Sequence, residues 1–544
     1  MSRAWAAATV EGIVPDSLWE AFWQYENALM ANDLAMLSYL FAPGEHTVRA
    51  DSTGVRIGHN AIMGFRVGRG PAAQRVITDC HVRMIDDRNA VIVATHAPDR
   101  GGWGVVTQWW TFRSESNQPS HWVIATTHVS SPPPAVDASV WRVVGTPLVP
   151  GARAGHAFEP LGGETVAVKD VFDVAGFSVG AGVPAYLAES LPAFRHAAAV
   201  ATLLAAGADV RGIAQSDEFA YSITGCNPHS GTPPNVAVPE ALPGGSSSGP
   251  AAAVALGHAS IGLGTDTAGS IRVPASYQGL WGLRTSHGAV DSAGMVPLAP
   301  RFDSVGWLTR KPELLRTVAE ASLDQARQVS AAAAVLVAPA AVAVASPEIR
   351  TAFEEAVTRL VAEGCIAPPE EVELPDLQQT SALFRTVQAA QAWQVHGRWV
   401  SAHPRSLSAP VAARFRYAKS VTPTQHARAV ASIDRLRQSL DALLAGRVLL
   451  LPTTPTPAPQ LDASEEDLET VRRRTVSLTC IAAIGGYPAL SVPALSVGRA
   501  PVGLSVMGPR CTDLSLIDRG QTYADALRIA GAPPSSQATA SKRA

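Results

Sequence analysis

The sequence predicts a small α+β domain followed by a much larger α/β domain. Three observations lead there. The chain has 544 residues, more than one core accommodates, since single cores stop growing at about 250–300 residues. A proline-rich stretch from Ser130 to Gly151, SSPPPAVDASVWRVVGTPLVPG, divides it and reads as an extended linker. Ahead of that stretch helices come first and alternating strands follow. Beyond it strand-like and helix-like runs alternate, as in a single α/β domain. The expected boundaries are a first domain over 1–132, a linker over 133–150, a second domain over 151–535 and a disordered tail over 536–544.

In the first domain, Leu18, Phe22, Tyr25 and Leu29 share one helical face. Asn32 and Asp33 interrupt the run that ends at Phe41, which predicts two helices. A short helix is expected in HNAIMGFRVGR after Gly58. Four segments then alternate polar and apolar residues: RVITDCHVRMI, NAVIVATHA, WGVVTQWWTFR and HWVIATTHVS. They read as half-buried antiparallel strands curling into a cone. His46, Arg49, Arg66, Asp79 and His128 could line a pocket in it or belong to its scaffold.

Composition excludes several classes. At 47% hydrophobic and 16% charged residues the chain is neither disordered nor a coiled coil. A net charge of −3 lacks the basic surplus of a nucleic-acid binder. The most apolar run, Ala331 to Ala345, is shorter than the roughly 20 residues of a membrane span and reads as a buried strand and helix edge. Cys80, Cys226, Cys365, Cys480 and Cys511 are scattered, without metal-ligand spacing, which points to a reducing cytoplasm. The opening MSRAWAAATVEG makes a poor secretory signal.

Lysine is scarce: of 43 basic residues only Lys169, Lys311, Lys419 and Lys542 are lysines. Lys169 ends the strand-like run Val166–Val168, so its amine is expected to be buried. Burial disfavours the charged form, and a neutral amine can activate a serine, whose hydroxyl is otherwise a poor nucleophile. The alternative is an ion pair with Asp170 or Asp173. His258 and His287 lie near the serine-rich loops, but no triad pattern places either as a base. The chain lacks the G-x4-G-K-[ST] phosphate loop that would favour a nucleotide.

Two resemblances add to this reading. The opening helices, HTVR at His46–Arg49, GHNAIMGFRVGR and HWVIATTHVS resemble the SnoaL-like (nuclear transport factor 2-like) family, most closely its AtzH-like branch, over about 15–132. That implies a cone-shaped module that docks on an amidase. VAVKDVFDVAG (Val166–Gly176), LPGGSSSGPAAAVA (Leu242–Ala255) and GLGTDTAGSIRVPASYQGLWGLRTSHG (Gly262–Gly288), with the tail Thr479–Pro509, resemble the amidase signature family over about 150–530. The spacings of 77 residues from Lys169 to Ser246 and 24 from Ser246 to Ser270 fit that family.

The amidase resemblance implies an α/β fold with a mixed central sheet covered by helices. It implies Ser270 as nucleophile, Ser246, preceded by a cis peptide bond, as proton bridge, and Lys169 as base. Ser247 would add a hydrogen bond. The backbone N–H groups of Thr267, Ala268, Gly269 and Ser270 would form the oxyanion hole, and Asp266 and Arg272 would pair to fix that turn. Ala268 stands where the commonest form has glycine, so the turn must avoid positive φ there. The reaction would be hydrolysis of a linear carboxamide, without metal or cofactor.

HSGTPPN, RVPASYQGLWGLRTSHGAV and DSVGW look most like indoleacetamide hydrolases, whereas the AtzH-like block points to small ureido carboxylates such as 1-carboxybiuret. Arg414, Arg416, Tyr417 or Trp393 could face the acyl group. A homodimer is expected, with no membrane or nucleic-acid partner. The competing readings are a glutaminase subunit of a tRNA-dependent amidotransferase and a catalytically silent binding module.

Overall fold

The computed structural model describes residues 8–11, 13–51, 54–67, 75–98, 104–115, 118–130, 137–152 and 159–528. The chain forms two compact units, Met1–Val136 and Asp137–Ala544.

In the first unit, helix α1 (Asp16–Ala31) buries Leu18, Phe22, Tyr25 and Leu29, the face the periodicity marked. Asn32 ends it in the left-handed conformation. Asp33 then caps helix α2 (Leu34–Leu40), accepting from Met36 N at 3.0 Å. This is the interruption the sequence announced. The strands are β1 (Ala8–Glu11), β2 (Val48–Asp51), β3 (Gly54–Ile57), β4 (Arg75–Asp86), β5 (Asn89–Pro98), β6 (Gly104–Glu115) and β7 (Gln118–Ser130), with helix α3 (His59–Val67) after β3. They form one seven-stranded sheet in the order β1-β4-β5-β6-β7-β2-β3. Trp110, Ile92, Val106 and Ile124 pack from it against α1 and α2.

The second unit is built on an eleven-stranded mixed sheet. Its strands are β8 (Trp141–Val149), β9 (Thr165–Lys169), β10 (Asp209–Ala214), β11 (Ile261–Asp266), β12 (Trp281–Arg284), β13 (Ser304–Thr309), β14 (Val335–Val337), β15 (Glu370–Glu371), β16 (Val448–Pro452), β17 (Ala489–Val497) and β18 (Ala500–Met507). The order is β15-β14-β16-β18-β17-β12-β13-β11-β9-β10-β8. β9 runs parallel to both β10 and β11, so the carboxyl ends of three neighbouring strands open on one side, where α/β sheets place their sites. β9, β11, β12 and β13 are almost continuously buried. Helices pack on the sheet, among them Ser248–Ala255 against β9 and β11 and Arg272–Gln278 against β12, β17 and β18.

One expectation is corrected. The linker assigned to 133–150 is largely not a linker, because Trp141–Val149 is strand β8, the edge of the large sheet, paired antiparallel with β10. Its prolines misled the reading; Pro147 sits on an edge strand, where the missing N–H is tolerated. Val140 and Trp141 are buried with Ala167, Ala214 and Ala252. Residues 133–136 and the 536–544 tail lie outside the described residues. The Ala331–Ala345 run holds β14 and the short helix Pro339–Val342. Among the described residues, no helix is long and apolar enough to cross a membrane.

Candidate active site

The three strand ends bring together what the sequence separates. β9 ends at Lys169, which is fully buried. Its Nζ donates to Ser246 Oγ and to Thr265 Oγ1, each at 2.8 Å. Thr265 lies near the end of the adjacent β11, and Asp217 follows the end of β10. Lys169 makes no ion pair with Asp170, whose carboxylate is held instead by Arg142 at 2.9 Å. Burial pulls the Lys169 amine down to about 7, against the opposing carboxylates of Asp217, Asp266 and Asp303. Burial also raises the Asp217 carboxyl, which accepts from Gly225 N at 3.1 Å and Ser248 Oγ at 3.2 Å.

Ser246 follows a cis Gly245–Ser246 peptide in the loop before the helix Ser248–Ala255. Ser247 donates from Oγ to the Thr265 carbonyl at 3.3 Å and from its backbone to the Ser270 carbonyl at 3.2 Å. The serine loop comes this close because β11 carries Gly264, where a Cβ would meet Ser247 Oγ at 2.6 Å. Ser246 Oγ is bound to Lys169, but among the described residues no hydrogen bond joins it to Ser270 Oγ, so only the lysine half of the expected bridge is closed.

The turn Thr267–Ser270 is shaped by Asp266. Its carboxylate accepts from Gly269 N at 2.9 Å, Ile271 N at 3.2 Å and Arg272 N at 3.3 Å, and from Arg272 Nε and Nη2 at 2.9 and 2.8 Å. Burial by itself would raise this carboxyl; Arg272 and then Arg284 hold it far below the usual carboxylate range. The Asp266–Arg272 pairing is the one expected; Arg284, also fully buried and bonded to the Asp266 carbonyl, is an addition. The left-handed step falls on Gly269, at φ 114°, and Ala268 is not among the positive-φ residues, which answers the doubt over alanine there. One oxyanion donor is corrected. The Gly269 N–H is already taken by Asp266, leaving those of Thr267, Ala268 and Ser270 with no protein acceptor among the described residues. The Ala268 carbonyl is fixed by Thr479 Oγ1 at 2.7 Å, and Thr267 Oγ1 donates to Asp303 at 2.6 Å.

Ser270 opens on a narrow cleft lined by Thr267, Tyr221, Gln388, Arg472 and Val476, among others. Phe219 and Ala220, at φ 48° and 55°, turn the chain into this wall, in a conformation costing about 1–3 kcal/mol each. The acyl-side expectations fare unevenly. Arg414 reaches the wall, donating to the Tyr221 carbonyl at 2.9 Å. Arg416 and Tyr417 are exposed, and Trp393 lies beneath Lys419, so none of these three lines the cleft. Thr265, Asp217, Arg284, Gln388 and Arg472 carried no local signal; they reach the site through the sheet and the turns that leave it, and through the helices Leu377–Ala402, which carries Gln388, and Glu465–Gly485, which carries Arg472. His287 is engaged with the Asp303 carbonyl at 2.9 Å. In the first unit, His46 and His128 are exposed, Asp79 faces His81 at 3.2 Å, and Arg49 pairs with Asp51 beside the ring of Phe65. Of the five residues proposed for a pocket there, His46 and His128 therefore lie at the surface, and Arg66 is buried.

A family model described as Amidase matches residues 149–517, and one described as AtzH-like matches residues 12–133. The chain is 35% identical over 397 residues to Amidase 1 of Arabidopsis thaliana, covering 66% of this chain and 92% of that protein. It is 35% identical over 382 residues to 2-amino-5-chloromuconic acid deaminase of Comamonas testosteroni, covering 67% of this chain and 81% of the relative. A solved structure described as "An unexpected vestigial protein complex reveals the evolutionary origins of an s-triazine catabolic enzyme" superposes with a TM-score of 0.62 at 26% identity, covering 68% of this chain and 85% of that chain.

Proposed function

Because the chain belongs to the amidase signature family, with an AtzH-like domain ahead of the amidase block, we propose that it hydrolyses a linear carboxamide through an acyl-enzyme on Ser270. The observation that carries this is the buried Lys169 amine, drawn down to about 7 and bonded to Ser246 next to a serine that opens on a cleft. A neutral amine there can take a proton at ordinary pH.

Ser270 Oγ forms a bond to the substrate carbonyl carbon as its proton passes to Ser246 Oγ and the Ser246 proton passes to Lys169 Nζ. The open Ser246–Ser270 gap agrees with the behaviour of resting sites, whose proton-transfer contacts tighten when substrate binds. The N–H groups of Thr267, Ala268 and Ser270 receive the developing oxyanion, each such donor contributing about 2.7–4 kcal/mol. The C–N bond then breaks as Lys169 returns the proton through Ser246 to the leaving nitrogen. Water repeats the route in reverse, releasing the carboxylate and freeing Ser270. Asp266 and Arg272 hold the turn, and Thr265 orients the lysine.

The cleft at Ser270 is narrow, with little free space between its walls, which favours a short ureido or aliphatic amide over an indoleacetamide. The relatives named for a chloromuconic acid and for s-triazine catabolism support the same direction. The AtzH-like block is read as a module that docks on the amidase block, and the chain as a cytoplasmic homodimer; its five free cysteines suit that compartment. Light scattering on the purified protein tests the dimer.

The deciding experiment is a serine-reactive probe followed by mass spectrometry, with ammonia release measured on indoleacetamide, aliphatic amides and ureido carboxylates. An adduct on Ser270, and loss of at least about 10³-fold in activity for Ser270→Ala, are expected. Wild-type rates in Ser270→Ala would refute the mechanism. Activity that required a second subunit and tRNA would replace it with the amidotransferase reading.

A further inference from the structure

A second pocket, of about 290 Å³, lies beside the Ser270 cleft and shares no lining residue with it. The wall between them is thin. Pro297 faces the pocket, while the next residue, Leu298, lines the cleft. Phe219, one residue ahead of Ala220 in the cleft, packs its ring against Tyr186, Trp399 and His396 of the pocket, with centroids 5.2, 5.4 and 4.4 Å apart. The hydrolytic route through Lys169, Ser246 and Ser270 uses no group in this pocket.

Its polar side chains are nearly all acceptors. Asp173 lines it and is held at its backbone, donating from N to the Gly294 carbonyl and accepting from Ala197 N, each at 2.8 Å. The Asp173 carboxylate lies against Gly294, where a Cβ would come 3.2 Å from Oδ2, and it accepts no hydrogen bond from any described residue. Burial raises this carboxyl, and the cation that opposes the shift, Arg195, is itself exposed. His396 donates from Nε2 to the Pro297 carbonyl at 2.8 Å. A carbonyl only accepts, so Nδ1 keeps its lone pair, and no described residue bonds it. Burial draws this imidazole down to about 4, which keeps it neutral. Trp399 commits its N–H to Glu189 at 2.9 Å and offers the pocket only its ring. That ring meets Tyr186 edge to face at 5.5 Å, which makes an aromatic corner. Among the lining side chains only the Tyr186 hydroxyl has a donor left.

A free carboxylate, a lone pair and aromatic faces all attract N–H groups that carry positive charge. An anion would meet repulsion from the same groups. We infer that this pocket is a second binding site, separate from the nucleophile's cleft, and that it takes a small one-ring arylalkylammonium ion. The ammonium bonds Asp173, and the ring packs in the corner of Tyr186 and Trp399. This site stands independently of the amidase reading.

Calorimetric titration of the full chain with benzylammonium chloride tests it, with benzyl alcohol and benzoate as neutral and anionic counterparts of like shape. Benzylammonium is expected to bind at least about tenfold more tightly than benzyl alcohol, in the range of a charged hydrogen bond, and more tightly than benzoate. Raising the salt is expected to shrink that preference. In Asp173→Asn the ratio falls toward one, and Tyr186→Leu weakens benzylammonium about threefold. Binding is expected to be unchanged once a small serine-reactive probe is attached to Ser270. Equal affinities in the wild type, tighter binding of benzoate, an Asp173→Asn ratio equal to that of wild type, or loss of binding on the Ser270 adduct each overturns the inference. The wild-type ratio and its salt dependence decide the matter if the asparagine variant does not fold. A protein that binds benzylammonium through Asp173 but forms no Ser270 adduct keeps this site and loses the amidase reading.

Discussion

Lys169 illustrates how burial tunes one residue. Its ordinary value of 10.5 is drawn down to about 7, so below that pH the amine is protonated and cannot accept from Ser246. We expect kcat/KM to rise with pH through about 7 and then level off, as a pH–rate profile with an uncharged substrate will show. The same group bears on stability. Between about 7 and 10.5 the unfolded chain binds a proton that the native state does not, so this group's burial penalty is full below the window and fades as pH rises through it. Lys169→Met should abolish activity and flatten the pH dependence of Tm across that window, measured by calorimetry. Asp266→Asn should unfold the site rather than merely slow it. It strands two buried guanidiniums, at a cost of about 3–5 kcal/mol, readable in a denaturant melt.

Lys169, Ser246 and Ser270 were legible because each sits in a motif with its own spacing, and the scarcity of lysine drew attention to one of them. Arg284 and Arg472 were not legible. An arginine's partner depends on which strand or helix lies beside it, and nothing in WGLR or VRRR states that. The Gly269 N–H was misread for a related reason: a turn's sequence shows which donors exist, and only the fold shows that the Asp266 carboxylate already holds this one.

At the scale of elements, the helix Glu465–Gly485 does more than cover the sheet. One end presents Arg472 to the cleft, and two turns later Thr479 fastens the Ala268 carbonyl while its own carbonyl receives Arg272 Nη2 at 3.1 Å. Thr479→Val keeps the shape and removes the donor. It should cost about 1 kcal/mol of stability and lower kcat more than it moves KM, since the turn it steadies would bind the oxyanion rather than the ground state. Gly269→Ala acts on the same contact. A Cβ there meets Val273 Cγ2 at 2.9 Å and Thr479 Cγ2 at 3.1 Å, on a backbone at φ 114°. The three helices and the strands β4 to β7 of the first unit were legible because their periodicity is clean, whereas the four-residue strands β1, β2 and β3 are too short to show one. β8 was not, because three consecutive prolines, Pro132–Pro134, outweigh the alternation in WRVV when a sequence is read locally.

For the whole molecule, the second unit begins at Asp137, inside the stretch read as a linker over 133–150. A chain beginning at Asp137 keeps β8 and the buried Val140 and Trp141, whereas one beginning at Gly151 uncovers β10 as a new edge and empties their places. Deleting side chains of that size costs about 3–5 kcal/mol, and bare edges pair with other molecules. The shorter chain should therefore melt lower and aggregate, as scanning calorimetry and light scattering will report. The two-unit organisation was legible from length and composition; the cut point depended on a non-local strand pairing that length and composition do not encode.

That edge strand has a mechanical meaning. Trp141 stands opposite Ala214, and Ala214 stands opposite Lys169, so one transverse row crosses three strands from the start of β8 to the amine. Tension applied at the amino end of β8 is borne first by the β8–β10 ladder, β8 lying two strands from Lys169. In a force-spectroscopy trace the amidase sheet should peel from this edge, with loss of activity following detachment of β10 rather than of β8.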